Sequence, residues 1–153
     1  MNVSDICTRE VVTCGREASG VRLAQLMRDH HVGDVVVVER REEGVVPVGI
    51  VTDRDMVVTL LAKNVAPDAV TAGDLMGDAL ATVLGSEAIH DAVWHMRGRG
   101  VRRLPVVDRQ GRLAGVLSAD DLTAFLAAEL TQVAGIAPCQ ARLERRALDA
   151  TAG

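Results

Sequence analysis

Aromatic side chains are almost missing from the 153-residue sequence, in which Trp94 and Phe125 are the sole members of the class. Proteins that bind single-stranded nucleic acid without sequence preference stack its bases on aromatic rings. The formal net charge of −4 also disfavours attraction to a phosphate backbone. General nucleic-acid binding is therefore not expected.

Long apolar segments and signal-like starts are missing as well. No apolar run approaches the roughly 20 residues that a membrane-spanning helix needs. The start, MNVSDICTREVV, lacks the charged-then-apolar pattern of a secretory signal. We therefore expect a cytoplasmic protein with no membrane segment.

Residues that bind metals or form disulfides are few. Cys7, Cys14 and Cys139 include no C-x-x-C pair, so buried thiols are the simpler interpretation and a Cys14–Cys139 disulfide is the alternative. His90 and His95 lie five residues apart on one predicted helix, whereas ligands on one helix face need a spacing of three or four. We predict no metal site. No arrangement of nucleophile and base is visible either, so the chain is not expected to be an enzyme.

What the sequence does contain is an internal repeat. A shift of 69 positions places Met27 on Met96 and Val32 on Val101. The shift falls to 66 farther along, because the polar turn RREEGVVPVG of the first copy is longer than RQGRLAG of the second. Both copies end in glycine, two apolar residues and Thr/Ser-x-x-Asp, as GIVTDRD and GVLSADD.

Each copy is predicted to form a strand, a helix, two strands and a helix. The run DVVVVE favours a buried strand. In the helix before it, Val21, Ala24 and Met27 recur at helical spacing and are expected to face inward, and so are Leu60 and Leu126 in the last helices. One three-stranded sheet is marginal by itself, so the copies are expected to bury their open faces against each other. The predicted class is α+β, with two pseudo-symmetric β-α-β-β-α repeats packed through their small sheets.

The predicted organisation has four parts. Residues 3–64 form the first repeat, 65–71 a linker and 72–134 the second repeat. Residues 135–153 form a C-terminal tail that is expected to contain a short helix.

The Thr/Ser-x-x-Asp motifs have three possible roles. A hydroxyl three residues before an acid is typical of a capping box at the start of a helix. The same geometry suits a nucleotide, because free N–H groups and a hydroxyl bind phosphate and the carboxylate accepts hydrogen bonds from a ribose diol. A metal site at Asp53 and Asp55 is the third interpretation, and the sequence SADD of the second copy breaks its spacing. The glycine before each motif, Gly49 or Gly115, lets another backbone come close.

This pair of repeats resembles a tandem pair of CBS (cystathionine-β-synthase) domains, or Bateman module, of the stand-alone bacterial type. The resemblance covers about Val3 to Ala134 and includes VRRLPVVD before the second hairpin. It implies two clefts that bind adenine nucleotides or related adenosyl ligands, and it implies a homodimer. AMP, ADP, ATP, S-adenosylmethionine and NAD-type ligands are all compatible with it.

The resemblance also implies the binding residues. Those of the first cleft are Val12, His31, Val32, Asp34, Ile50, Thr52, Arg54 and Asp55. Those of the second cleft are Ala81, Arg99, Val101, Arg103, Val116, Ser118, Asp120 and Asp121.

Arginines are concentrated in one segment of the acidic chain. They are Arg97, Arg99, Arg102, Arg103, Arg109 and Arg112. A solvated edge and a phosphate-attracting rim are both compatible with this cluster. Where the family has a small residue the chain has Arg103, which is expected either to fill the cleft or to bind a phosphate.

The sequence thus predicts a non-catalytic regulatory module that binds an adenine nucleotide or adenosyl ligand and acts on an unknown protein effector. The alternative is a ligand-free homodimeric interaction or stress-response module, in which both motifs only cap helices.

Overall fold

The computed structural model of the protein describes residues 1–42 and 44–151. It has two compact units, Met1–Ser118 and a second unit that begins at Ala119. The helices of the first unit are α1 (Val3–Ile6), α2 (Gly20–His30), α3 (Asp53–Met56), α4 (Ala72–Leu75) and α5 (Ile89–Arg99). Its strands are β1 (Thr13–Cys14), β2 (Asp34–Arg41), β3 (Gly44–Thr52), β4 (Val83–Leu84), β5 (Arg103–Val107) and β6 (Leu113–Ser118). A π-helical turn (Val57–Leu61) continues α3, and a 3₁₀ turn covers Pro67–Ala69. The described part of the second unit forms α6 (Ala119–Ala134) and α7 (Ile136–Thr151).

The strands form two small sheets of the same design. Their orders are β1-β2-β3 and β4-β5-β6, with the first two strands parallel and the last two antiparallel. The register pairs Asp34 with Thr52 in one sheet and Arg103 with Ser118 in the other. The predicted α+β class and the predicted order of elements are therefore confirmed, and the duplication extends to individual strand pairs.

The central strands are covered on both faces. Val35, Val36 and Val37 are all fully buried, although consecutive side chains of a strand point to opposite faces. In β5, Leu104, Pro105 and Val106 are buried in the same way. These apolar runs therefore form the core of the first unit.

Helix α2 turns inward a face that matches the prediction only in part. Met27 packs against the core as predicted. Leu23 and Leu26 are buried, whereas Val21 and Ala24 are exposed. The start of the helix fixes this rotation: a Cβ at Gly20 would lie 2.6 Å from the carbonyl oxygen of Pro67. The face that contains positions 20, 23 and 26 therefore packs inward.

The short helices α1 and α4 each pack against the sheet of the other repeat. Thr8, just after α1, exchanges two 2.9 Å backbone hydrogen bonds with Val116 of β6. Helix α4 packs on β3, where a Cβ at Gly49 would lie 2.3 Å from the Sδ of Met76. At Gly115 the corresponding neighbours are the Sγ of Cys7 and the carbonyl oxygen of Thr8. At Gly115 another backbone comes close as predicted, whereas the three atoms nearest to a Cβ at Gly49 belong to the side chain of Met76. Both contacts join the two repeats.

The second unit is a pair of long helices with many exposed apolar side chains. Leu126 is 52% exposed, so its predicted inward position is wrong, whereas Leu60 is buried as predicted. Helix α7 covers much more of the tail than the short helix expected there. By length and composition alone, Ala119–Ala147 would suffice to cross a membrane, contrary to the sequence expectation. Apolar helices that never enter a membrane can have the same length and composition.

Cys14 and Cys139 are half-buried thiols, whereas the simpler sequence interpretation expected them to be buried. Burial raises the pKa of the Cys14 thiol. Since the thiolate is the reactive form, Cys14 is poorly placed for redox chemistry near neutral pH.

Equivalent helix ends carry different residues in the two repeats. The residue that follows the last turn is His31 after α2 and Gly100 after α5, with φ values of 54° and 65°. Glycine adopts this left-handed conformation without strain, but histidine does not. We expect His31→Gly to raise the free energy of unfolding by up to about 1 kcal/mol, and Gly100→Ala to lower it by about the same amount. Urea denaturation of both variants tests this, and a destabilised His31→Gly would contradict it.

Candidate functional site

Thr52 and Asp55 form a closed capping box at the junction of β3 and α3. The Thr52 backbone N–H and hydroxyl donate to Oδ2 of Asp55 at 2.8 and 2.7 Å. In return the Asp55 N–H donates to Oγ1 of Thr52 at 3.2 Å. Both donors of Thr52 use Oδ2 of Asp55, so Oδ1 of Asp55 takes no part in the box.

A second capping box of the same kind is formed by Thr71 and Asp74. Thr71 donates from its N–H and its hydroxyl to Oδ2 of Asp74, each at 2.8 Å, at the start of α4. Hydrogen bonds from the backbone N–H and then the hydroxyl of Thr71 hold the pKa of Asp74 below its usual value. Thr-x-x-Asp thus caps helices in this protein whether or not a site is nearby.

Position distinguishes the two boxes. Thr52 and Asp55 line a cavity of about 640 Å³, called here the Thr52 cavity. Its volume lies within the range of roughly 300–1,000 Å³ that small-molecule sites occupy. Both repeats contribute to its wall, which consists of Ile50, Thr52, Asp53, Arg54, Asp55, Gly100, Val101, Arg102 and Arg103.

Opposite charges meet across this wall. The Nε of Arg103 lies 2.5 Å from Oδ1 of Asp34, in an ion pair whose side chains are 28% and 15% exposed. Gly33 makes room for the guanidinium: a Cβ there would lie 3.1 Å from Nη2 of Arg103 and 3.2 Å from Oδ2 of Asp53. Arg103 is thus paired with a carboxylate of the first repeat, that of Asp34.

Four residues predicted for the first cleft line this cavity: Ile50, Thr52, Arg54 and Asp55. Asp34 reaches it through Arg103. The other three, Val12, His31 and Val32, are not part of its wall. Val12 is half-buried and packs against the core of the first repeat.

Val101 and Arg103 belong to this wall too, although the family resemblance assigned them to the second cleft. Asp53, Gly100 and Arg102 also line the cavity and were not among the predicted nucleotide-binding residues, although Arg102 belongs to the arginine cluster considered as a phosphate-attracting rim. Signals for two of them were present, since Asp53 lies inside TDRD and Arg102 inside the arginine cluster.

The remaining residues predicted for the second cleft are divided between the two units. Ala81, Arg99, Val116 and Ser118 lie in the first unit, with Val116 buried and Arg99 exposed, and the other two are Asp120 and Asp121 of α6. A shared role for Ser118 and Asp121 stays a prediction.

A metal-binding cluster is not found within residues 1–42 and 44–151, where no three His, Cys, Asp or Glu side chains gather suitably. Oδ1 of Asp53 accepts the N–H of Arg54 at 2.8 Å. The D-x-D interpretation of TDRD therefore gains nothing from the structure.

Comparison with known proteins places the repeats in a family. The sequence profile described as "CBS domain" matches residues 3–62 and again 72–128. The chain belongs to the CBS domain family. Its two CBS domains correspond to the two sheets with their helices, and solved CBS domain pairs share the fold.

Two curated relatives illustrate the range of CBS domain proteins. An uncharacterized protein of Methanopyrus kandleri is 35% identical over 80% of this chain, and the match spans 61% of that protein. Hypoxic response protein 1 of Mycobacterium tuberculosis is 30% identical over 80% of this chain and 82% of its own. A crystal structure of Hypoxic Response Protein I holds two coordinated zinc ions, with a TM-score of 0.70, 29% identity and coverage of 81% and 98% of the two chains.

A third similar protein was solved with a nucleotide. It is a CBS domain protein of Pyrobaculum aerophilum complexed with AMP. Its TM-score is 0.71 at 28% identity, and the alignment covers 80% of this chain and 90% of the other.

Proposed function

We propose that this protein is a non-catalytic sensor that binds an adenine nucleotide or adenosyl ligand between its two CBS domains. The observation that carries the proposal is the position of the Thr52–Asp55 box on a cavity wall shared by both repeats. A ligand there contacts both CBS domains at once. It can therefore shift their arrangement through its differential affinity for two states.

The wall offers a group for each part of such a ligand. Ile50 and Val101 supply apolar surface for the base. Oδ1 of Asp55 is placed to accept hydrogen bonds from a ribose diol. Arg54 and Arg102 supply positive charge for a phosphate. The AMP complex of the Pyrobaculum aerophilum protein supports this ligand class.

A homodimer is part of the proposal. In the turn after α3, Val57, Val58 and Leu61 are 53%, 48% and 74% exposed. Trp94 on α5 is 62% exposed, and its Nε1 donates to His90 at 2.9 Å. Apolar side chains at this density are typical of surfaces that a partner covers.

The alternative is a ligand-free interaction module, and one observation favours it. The Thr71–Asp74 box has the same hydrogen bonds as the Thr52–Asp55 box without lining the Thr52 cavity. Helix capping is thus a sufficient reason for the motif by itself.

A ligand panel decides between the two. Purified protein is heated with AMP, ADP, ATP, S-adenosylmethionine or NAD, each at about 1 mM, and every hit is measured by calorimetry. A ligand at about 100 times its dissociation constant adds about 2.7 kcal/mol of stability, which raises the melting temperature by roughly 5–10 °C. A flat panel, with no nucleotide released from the denatured protein, would favour the interaction module.

A further inference from the structure

Asp34 and Arg103 occupy the same position in the two repeats. Each is the first residue of its central strand, β2 or β5, and the two are related by the 69-residue shift. Their side chains form an ion pair that joins one repeat to the other. Equivalent positions of a duplicated fold therefore carry opposite charges that meet.

The pair lies at the wall of the Thr52 cavity, because Arg103 lines that cavity. Its guanidinium pairs with Asp34, and a Cβ at Gly33 would contact both this guanidinium and the carboxylate of Asp53. Both side chains are largely buried, so solvent screens their attraction less than it would at an exposed pair. An anionic ligand in the cavity must compete with Asp34 for Arg103.

We propose that the Asp34–Arg103 ion pair is a latch between the repeats that a phosphate-bearing ligand opens. This inference rests on the proposed function and names its regulation. A phosphate oxygen takes over the guanidinium, since Arg binds phosphate as readily as carboxylate and in the same forked geometry. Arg103 then separates from Asp34, and the link between the repeats changes. An uncharged nucleoside fills the cavity without opening the latch.

The test compares AMP with adenosine by titration calorimetry at fixed ionic strength. Asp34→Asn removes the competing charge while keeping the shape of the side chain. It is expected to tighten AMP binding about tenfold, which is the scale of one charge-assisted hydrogen bond. It should change adenosine binding less than about twofold, because adenosine has no anion to compete for Arg103.

Arg103→Gln is the reciprocal variant. It should weaken AMP about tenfold relative to adenosine. In the double variant, Asp34→Asn should no longer tighten AMP, since the group it frees is gone. Asp108→Asn is the matched control: Asp108 pairs with Arg112 at 2.6 Å, and neither residue lines the Thr52 cavity. It should leave both affinities unchanged.

The outcomes distinguish a failure of the latch from a failure of the proposed sensor function. If AMP binds and Asp34→Asn shifts AMP and adenosine equally, the latch is refuted and the sensor stands. If wild-type protein binds neither compound, nor any other ligand of the panel, the sensor and the ligand-opened latch both fail. A double-mutant cycle on urea unfolding then reports what the pair contributes to stability alone.

Discussion

Gly115→Ala is expected to lower the free energy of unfolding by about 1–3 kcal/mol, the usual cost of overpacking a tight contact. A Cβ at this position would lie 2.8 Å from the Sγ of Cys7 and 2.9 Å from the carbonyl oxygen of Thr8. The Thr8 carbonyl is held by its hydrogen bond from Val116, so it cannot retreat without breaking the contact between α1 and β6. The N-terminal segment is therefore expected to loosen from the second sheet.

Urea denaturation measures the free energy of unfolding of Gly115→Ala and of a control variant with the same substitution in a helix. Gly98 lies in α5, and a Cβ there would meet nothing within 4 Å. Gly98→Ala should therefore raise the free energy of unfolding by up to about 1 kcal/mol, through helix propensity and a less flexible unfolded chain. If Gly115→Ala were as stable as the wild type, the close approach of α1 to β6 would not hold in solution.

The sequence predicts the duplicated fold well because its signal is spread over the whole chain. Apolar runs, turn lengths and terminal motifs all recur with one shift, and the two sheets share strand order and register. Gly49 and Gly115 were expected to permit the approach of another backbone, and Gly115 does so at the Thr8 carbonyl, whereas Gly49 faces a side chain. The sequence gives no sign that Cys7 packs on the second sheet and Met76 on the first, because both contacts depend on how the repeats pack together.

The rotation of α2 shows a limit of local patterns. Val21, Ala24 and Met27 recur at helical spacing, but so do Leu23 and Leu26. Two overlapping stripes leave the inward face undecided, and the contact of Gly20 with Pro67, distant in sequence, decides it. Tertiary packing thus decides which face points inward, because periodicity alone leaves that open.

The candidate site, too, is only partly predictable from the sequence. Thr52 and Asp55 are predictable from a seven-residue motif because the box that joins them is local. The opposite wall is not, since Val101 and Arg103 reach the cavity through the packing of two repeats. The sequence does contain opposite charges at equivalent repeat positions, Asp34 and Arg103, but that the two side chains meet depends on how the repeats pack.

Asp55→Ala is expected to weaken adenine-nucleotide binding by at least about tenfold, because a ribose diol loses its charged acceptor. The change also removes half of a capping box, so the free energy of unfolding should fall by up to about 1 kcal/mol. Stability alone therefore does not distinguish a binding residue from a cap, and affinity has to be measured on folded protein.

Asp74→Ala is the matched control, because Asp74 makes the same hydrogen bonds to Thr71 that Asp55 makes to Thr52. Both variants should melt below the wild type, and calorimetry at a temperature where both are folded should show lost affinity for Asp55→Ala alone. Equal affinities in the two variants would mean that the Thr52–Asp55 box, like its counterpart at α4, serves to start a helix. The ligand would then have to be held by the arginines and the apolar wall, without the carboxylate.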